Sequence, residues 1–289
     1  MISFVIPALN EASAIAETVG KCQEVARQHV LEPAEVIVVD DGSTDATGEE
    51  ARRQGARVIR HPKPGGYGNA LKQGILAASH DTVVILDADG TYPIERVGDL
   101  WQRYQQGFDM VVGQRTGPHY RESRFKSPLR AMLRMLVEFT TGQPVPDVNS
   151  GLRIFSRKTI LPYLPRLCNT FSFTTSLTMA YQMTGRFIDH LPIDYHSRIG
   201  QSKVRLFRDT LRTLQYIIEA ILYYNPIKIF ILLSLFCLLL SVLCLAGAMA
   251  TKLLSLFILG IGNIFLAILV FAMGLLAVQL KELMRHGRL

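Results

Sequence analysis

Tryptophan occurs once in the 289 residues, at Trp101, and cysteine four times. Cys22, Cys168, Cys237 and Cys244 show no metal-ligand spacing, so no cysteine-held metal is expected. Two of the four lie in an apolar C-terminal stretch and read as free thiols of a reducing compartment. No G-x-G-x-x-G follows the first strand-like segment, which argues against an ordinary NAD-binding Rossmann domain. No G-x-x-x-x-G-K-[ST] segment is present either, which argues against a P-loop NTPase. Motifs for RNA or DNA are also missing, and no nucleic-acid partner is expected. The segment from Met1 to Pro7 has no basic region and no long apolar core, so it reads as a first strand and not as a signal peptide. Acids are the scarcer charge: 24 Asp and Glu stand against 31 Lys and Arg. The resulting net charge of +7 suits an anionic membrane face or phosphorylated ligands.

Apolar residues are plentiful but unevenly placed. The mean hydropathy of +0.22 is high for a soluble enzyme, and the excess lies after Pro226. Before that point strand-like and helix-like segments alternate. Ile2 to Ile6, Glu35 to Val39, Ala56 to Ile59, Thr82 to Leu86 and Phe108 to Val112 read as strands, with Pro7 ending the first. A helix runs to about Gln28, and Ser43 or Thr44 is placed to cap another. This alternation predicts an α/β domain with a mostly parallel sheet covered on both faces.

The central stretch is Thr82 to Pro93. Its β-branched and aliphatic run reads as a strand buried on both faces, and it ends at Asp87-Ala88-Asp89-Gly90. Open α/β sheets bind ligands at the carboxyl ends of their strands. Two carboxylates spaced i and i+2 across a bend there can share a divalent cation with phosphate oxygens; read alone, the same pattern is also a solvated turn. Asn10-Glu11 and Asp40-Asp41 follow two other strands and fall on the same edge. Such an edge is the geometry of a nucleotide site with a metal. The glycine-rich turn into a helix from His61 to Ala70, with Gly68, lets backbone approach a phosphate or sugar closely.

Pro7-Ala8-Leu9-Asn10-Glu11, Val39-Asp40-Asp41-Gly42-Ser43-Thr44-Asp45 and Asp87-Ala88-Asp89-Gly90 stand in an order and spacing that resemble family 2 glycosyltransferases of the GT-A fold. Val112-Gly113-Gln114-Arg115, Asp147 to Phe155, and Arg198 to Lys203 narrow the resemblance to the polyprenol-phosphate glycosyltransferases, the group that includes dolichol-phosphate mannose synthase. The likeness covers about the first two-thirds of the chain. The Q-x-x-R-W element of processive polysaccharide synthases is absent.

The resemblance implies a nucleotide-sugar donor bound by Pro7, Asn10, Glu11, Asp41, Gly68, Asp87, Ala88, Asp89, Arg198 and Lys203, with Asp40 and Asp41 candidates to read the base. It implies Mg²⁺ or Mn²⁺ on Asp87 and Asp89, and a polyprenyl phosphate acceptor met by Arg115 and Arg130. Arg121 and Arg124 read as solvated. Asp89, Asp147 and Lys203 are the catalytic candidates. Asp147 either acts as a base or only positions substrate, since a phosphate acceptor is already ionised at neutral pH. Members of this group often carry Gln two residues after the second Asp; here that residue is Thr91, a shorter and poorer ligand. The loop from Arg198 to Lys203 is implied to be a lid over the donor diphosphate, and it also reads as a basic membrane-surface loop.

From Leu206 to Leu222 apolar residues recur at helical spacing, with Arg205, Arg208 and Arg212 near the start, a pattern for a helix lying in the lipid interface. Ile229 to Thr251 and Leu253 to Leu280 are then uncharged, and each exceeds the ~20 residues that cross a bilayer. Only Lys252 separates them, and Lys281, Arg285, His286 and Arg288 follow. The positive-inside rule places both ends of this pair in the cytoplasm. The expected organisation is a GT-A catalytic domain over 1–202, an amphipathic juxtamembrane segment over 203–226, two transmembrane helices over 227–281, and a cytoplasmic tail over 282–289. Gly260-Ile261-Gly262 permits close helix contact and is compatible with a homo-oligomer without fixing one. Two other functions fit the residues less well: transfer to a diacylglycerol or other lipid hydroxyl, which needs a true base, and a non-catalytic nucleotide-sugar-binding membrane partner.

Overall fold

The computed structural model describes residues 1–29, 31–117, 127–196 and 206–286. It divides into two units, Met1–Tyr216 and Ile217–Leu289.

The first unit is built on one seven-stranded sheet. Its strands are β1 (Ile2–Ala8), β2 (Ala34–Asp40), β3 (Arg57–Arg60), β4 (Thr82–Ile85), β5 (Met110–Thr116), β6 (Arg153–Ser156) and β7 (Ile188–Asp194). Their order across the sheet is β3-β2-β1-β4-β6-β5-β7. Pairings are parallel except for the two made by β6, which runs against both β4 and β5. Six strands therefore end on one edge, and the segment that precedes β6 arrives on that same edge. The order turns back between β1 and β4, the kind of switch point at which open sheets hold ligands.

The strands form where the sequence is β-branched and apolar. Every residue of β1 is buried. Pro7 does not end β1, contrary to the expectation; the strand runs on to Ala8. Ala8 bonds toward β2, since the Asp41 N–H donates to its carbonyl. Pro7 alternates with it and faces the β4 side, where β4 has already stopped at Ile85. β5 is longer than expected, so Arg115 lies inside it, opposite Ile193 of β7.

Helices cover both faces. From α1 (Ile15–Gln28), Ile15, Val19, Cys22 and Val25 pack on Phe4, Ile6, Val38 and Val84, and α4 (Val97–Tyr104) adds Val97 and Leu100. On the opposite face lies α3 (Tyr67–Ala77), where a Cβ on Gly74 would come within 2.3 Å of Val5. The helix sits that close only because residue 74 has no side chain. α2 (Thr47–Arg53) follows β2, and neither Ser43 nor Thr44 caps it: the Asp45 carboxylate accepts from the Thr47 N–H at 3.0 Å instead. α5 (Ser127–Thr141), the single turn α6 (Arg157–Ile160) and α7 (Phe173–Met183) complete the unit, with the buried α7 against β7. α8 (Leu206–Tyr224) straddles the division between the units.

The second unit contains α9 (Ile227–Thr251) and α10 (Leu254–His286). Both are long and apolar enough to cross a membrane. At ~1.5 Å per residue, α9 alone reaches about 37 Å against a hydrocarbon core of about 30 Å. The helices meet through small and hydroxylated residues. Ser234 Oγ donates to the Ala267 carbonyl at 2.9 Å, and Ser241 Oγ to the Gly260 carbonyl at 2.7 Å. A Cβ on Gly260 would strike Leu245 at 2.7 Å, and one on Gly274 would strike Phe230 at 2.6 Å, whereas Gly262 has nothing nearby. Lys252 turns the chain in a left-handed conformation, φ 55°.

Candidate active site

The carboxyl ends of the strands gather three laced loops. After β1, Asn10 takes a left-handed conformation, φ 51°, which asparagine tolerates better than most residues. Its Oδ1 accepts from the Thr44 N–H at 2.8 Å, and its own N–H donates to Ser43 Oγ at 2.9 Å. The Glu11 N–H donates to Thr47 Oγ1 at 2.8 Å. The loops after β1 and β2 are thus one body, with Pro7 and Ala8 leading into it.

Asp40 and Asp41 are both buried. Asp40 accepts from the Ser43 N–H at 2.8 Å. Asp41 accepts from the Gly65 and Gly66 N–H groups at 2.8 Å each, and its Oδ1 lies 2.6 Å from His61 Nδ1. Asp41 therefore clips the glycine turn to the end of β2. That turn approaches the chain's own backbone: a Cβ on Gly68 would meet the Cys168 carbonyl at 2.2 Å, and one on Gly66 the Asn169 carbonyl at 2.6 Å. Glycine here admits the loop at 168–170, to which the Asn69 N–H donates at Asn169 O, 3.0 Å.

Asp87, Ala88 and Asp89 follow β4 at the centre of this edge. Tyr67 Oη donates to Asp87 Oδ1 at 2.8 Å. Burial first, and then the Asp87 charge, push the Tyr67 hydroxyl well above its ordinary pKa, so it is a donor at neutral pH. Asp89 is buried, and Oδ1 accepts from Thr91 Oγ1 at 2.6 Å and from the Thr91 N–H at 3.2 Å. Thr91 thus braces Asp89. Gly151 stands against Asp87, where a Cβ would lie 2.8 Å from both carboxylate oxygens. Among the described residues no three His, Cys, Asp or Glu side chains converge as a metal site. Two carboxylates with a side-chain-free position beside one of them fit a hard divalent cation that takes its other ligands from phosphate oxygens or water.

Antiparallel β6 brings Asp147 to the same edge. Arg115 binds it in a fork, Nε to Oδ2 and Nη2 to Oδ1 at 2.8 Å each, and the Arg115 N–H adds a third bond at 3.1 Å. Burial raises the Asp147 pKa, but the Arg115 charge and these bonds outweigh it and hold the carboxyl below its ordinary range. The guanidinium also lies over the Tyr195 ring, 5.4 Å from its centroid, and Tyr195 packs edge-on against Tyr92. Tyr92 Oη accepts from the Gly151 N–H at 2.6 Å.

Beneath this loop Arg153 is fully buried, donating to the Ser150 and Val148 carbonyls at 2.8 and 2.9 Å and to Thr178 Oγ1 at 2.7 Å. Burial draws its pKa down to about 10. Arg130 falls on α5, but its side chain lies outside what is described. Arg198 and Lys203 also lie outside the described residues. Sequence reasoning passed over Tyr67, Tyr92, Arg153 and Tyr195. Only Arg153 carried a signal, as a charged residue inside an apolar strand run.

Residues 3–161 match the family described as Glycosyl transferase family 2. A dolichyl-phosphate hexose transferase of Haloferax volcanii is 32% identical over 207 residues, which cover 71% of this chain and 87% of the relative. An undecaprenyl-phosphate 4-deoxy-4-formamido-L-arabinose transferase of Klebsiella pneumoniae is 27% identical over 246 residues, 81% of this chain and 70% of the relative. The resemblance to polyprenol-phosphate glycosyltransferases thus holds along most of the chain. Glucosyl-3-phosphoglycerate synthase from Mycobacterium tuberculosis superposes with a TM-score of 0.60 at 24% identity, over 76% of this chain and 79% of that one, a likeness of fold. That synthase has been crystallised with Mn²⁺ and UDP-glucose, and with Mg²⁺ and UDP. With its family matched over more than half its length and its strand ends built into one carboxylate-bearing edge, the chain belongs to glycosyl transferase family 2 and is a glycosyltransferase of GT-A-like α/β fold.

Proposed function

We propose that this enzyme moves a hexose-type sugar from a nucleotide-diphosphate donor to a polyprenyl phosphate at the cytoplasmic face of a membrane. The observation that carries the acceptor class is the state of Asp147. A lipid hydroxyl must lose a proton as it attacks, and needs a base of fitting pKa. Asp147 is held in a two-point salt bridge by Arg115, and its pKa is lowered. A carboxylate so stabilised is a poor proton acceptor. An acceptor phosphate requires none, and its oxygen attacks the anomeric carbon directly, with inversion. In this reading Asp147 fixes the plane of the Arg115 fork, and Arg115, with Arg130, meets the acceptor phosphate.

The loops at Pro7, Asn10, Glu11 and Asp41 frame the donor nucleotide, with Gly68 setting the turn beside it. Asp87 and Asp89 would hold Mg²⁺ or Mn²⁺. When bound, that ion supplies positive charge to the departing diphosphate. Arg198 and Lys203, which the resemblance assigns to the donor, would add charge to the departing diphosphate. The division proposed is a catalytic domain to residue 202, an interfacial segment to 226, and a membrane-crossing hairpin to 281.

Radiolabelled nucleotide-sugars, tested in turn with purified full chain, Mg²⁺ or Mn²⁺ and polyprenyl phosphate, check the reading. A lipid product that releases its sugar in mild acid is expected, and EDTA should abolish it. An acid-stable glycolipid would make the acceptor a hydroxyl.

A further inference from the structure

The two carboxylates after β4 are each approached by a hydroxyl from a different source. Thr91 reaches Asp89 from within the same loop, two residues on. Tyr67 reaches Asp87 from the first turn of α3, twenty residues earlier in the chain. Its ring and the helix that carries it are both held. One face stacks on Phe171, with centroids 5.7 Å apart and planes 18° from parallel. The start of α3 is pinned by the close fit of Gly66 and Gly68 against residues 168–169. Gly151 also closes on the Asp87 oxygens, and its own N–H is tied to Tyr92.

We propose that Tyr67 is a positioning residue that fixes the Asp87 carboxylate for a divalent cation, its ring set by Phe171 and its hydroxyl aimed at Oδ1. This rests on the reading of Asp87 as a metal ligand. Donors behind a ligating carboxylate orient it and restrict its rotation, and their loss costs roughly 10- to 100-fold in metal affinity. It also offers a reason why Thr91 suffices at a position where longer side chains help hold metal. With both carboxylates braced by hydroxyls, the pair is already set.

Tyr67→Phe keeps the ring and its stacking and removes only the hydroxyl. The readout is the Mn²⁺ concentration giving half of the rise in melting temperature that Mn²⁺ produces in the detergent-solubilised full chain. UDP and GDP are present in separate series. Tyr67→Phe is expected to raise that concentration about 10-fold or more, while its melting temperature without metal stays within a degree or two of wild type. Phe171→Leu, which keeps the hydroxyl and loosens its support, should shift it in the same direction by less. An unchanged Mn²⁺ requirement in Tyr67→Phe overturns the inference. So does a metal-free variant that melts many degrees lower, because Tyr67 would then be a packing residue. Asp87→Asn separates the two readings. If it retains wild-type Mn²⁺ response, the metal assignment itself fails; if it loses that response while Tyr67→Phe does not, only the role of Tyr67 fails.

Discussion

Asp147 and Arg115 show how one pair can decide what a site is able to do. The Arg115 side chain is largely buried and the Asp147 carboxylate almost wholly so, and they meet through two parallel bonds at 2.8 Å. The folded carboxyl has a lowered pKa, so it contributes stability above its ordinary value of 3.8 that is lost as pH falls through the lower folded value. Asp147→Asn removes that contribution. The gap in melting temperature between wild type and Asp147→Asn should be full at pH 6–7 and narrow below about pH 4. A gap that widens in acid would mean the carboxyl is not held ionised. In turnover, the same variant should lose activity without moving the acid limb of the pH profile above about pH 4, because residue 147 takes up no proton in the proposed reaction.

Among the elements, antiparallel β6 matters most. Its reversed direction delivers residues 147–152 to the ligand edge, and Arg153 at its first position secures them from below. The guanidinium serves two backbone carbonyls that have few other ways to be satisfied in a buried loop. Arg153→Met fills similar space but leaves those carbonyls without their donor, at about 1–3 kcal/mol each. Chemical denaturation should register a loss of that size. Activity should fall further than stability explains, since Asp147 and Gly151 both ride on the loop. Normal turnover in a destabilised Arg153→Met would separate the loop from the reaction.

At the scale of the whole molecule, the chain carries an α/β unit and two packed helices long and apolar enough to cross a membrane. Buried Ser234 and Ser241 donate across to backbone carbonyls, which would satisfy their hydroxyls inside a bilayer. Lys252 is the one charged residue between the two apolar runs, and basic residues cluster after the second. That asymmetry predicts a short external turn at Lys252 and both chain ends inside. In a cysteine-free background, a cysteine at Thr251 should react with a membrane-impermeant thiol reagent from outside in intact cells. One at Arg288 should not. Reversed labelling would set the strand-end edge on the far side of the membrane and remove the cytoplasmic donor from the proposal.

The amino-acid sequence by itself determined the alternating α/β order, the carboxylates at the strand ends and the two long apolar helices, because each is a local pattern of period, breaker and charge. Asp87 and Asp89 were legible for that reason: two acids directly after an apolar run. Tertiary structure alone decided which side of the sheet each later segment joins. β6 and β7 are short or mixed in polarity, and β6 pairs against the direction of its neighbours, so nothing local announces that Asp147 will lie beside Arg115 of β5 or that Gly151 will close on Asp87. The glycine turn carried the opposite lesson. Its composition marked a close approach, but only packing revealed that the approaching group is the backbone at 168–169. Tyr67, Tyr92 and Tyr195 were silent for a related reason. Their partners lie between 20 and 104 residues away in the chain, and a hydrogen bond or ring contact over that separation exists only once the sheet has ordered its strands.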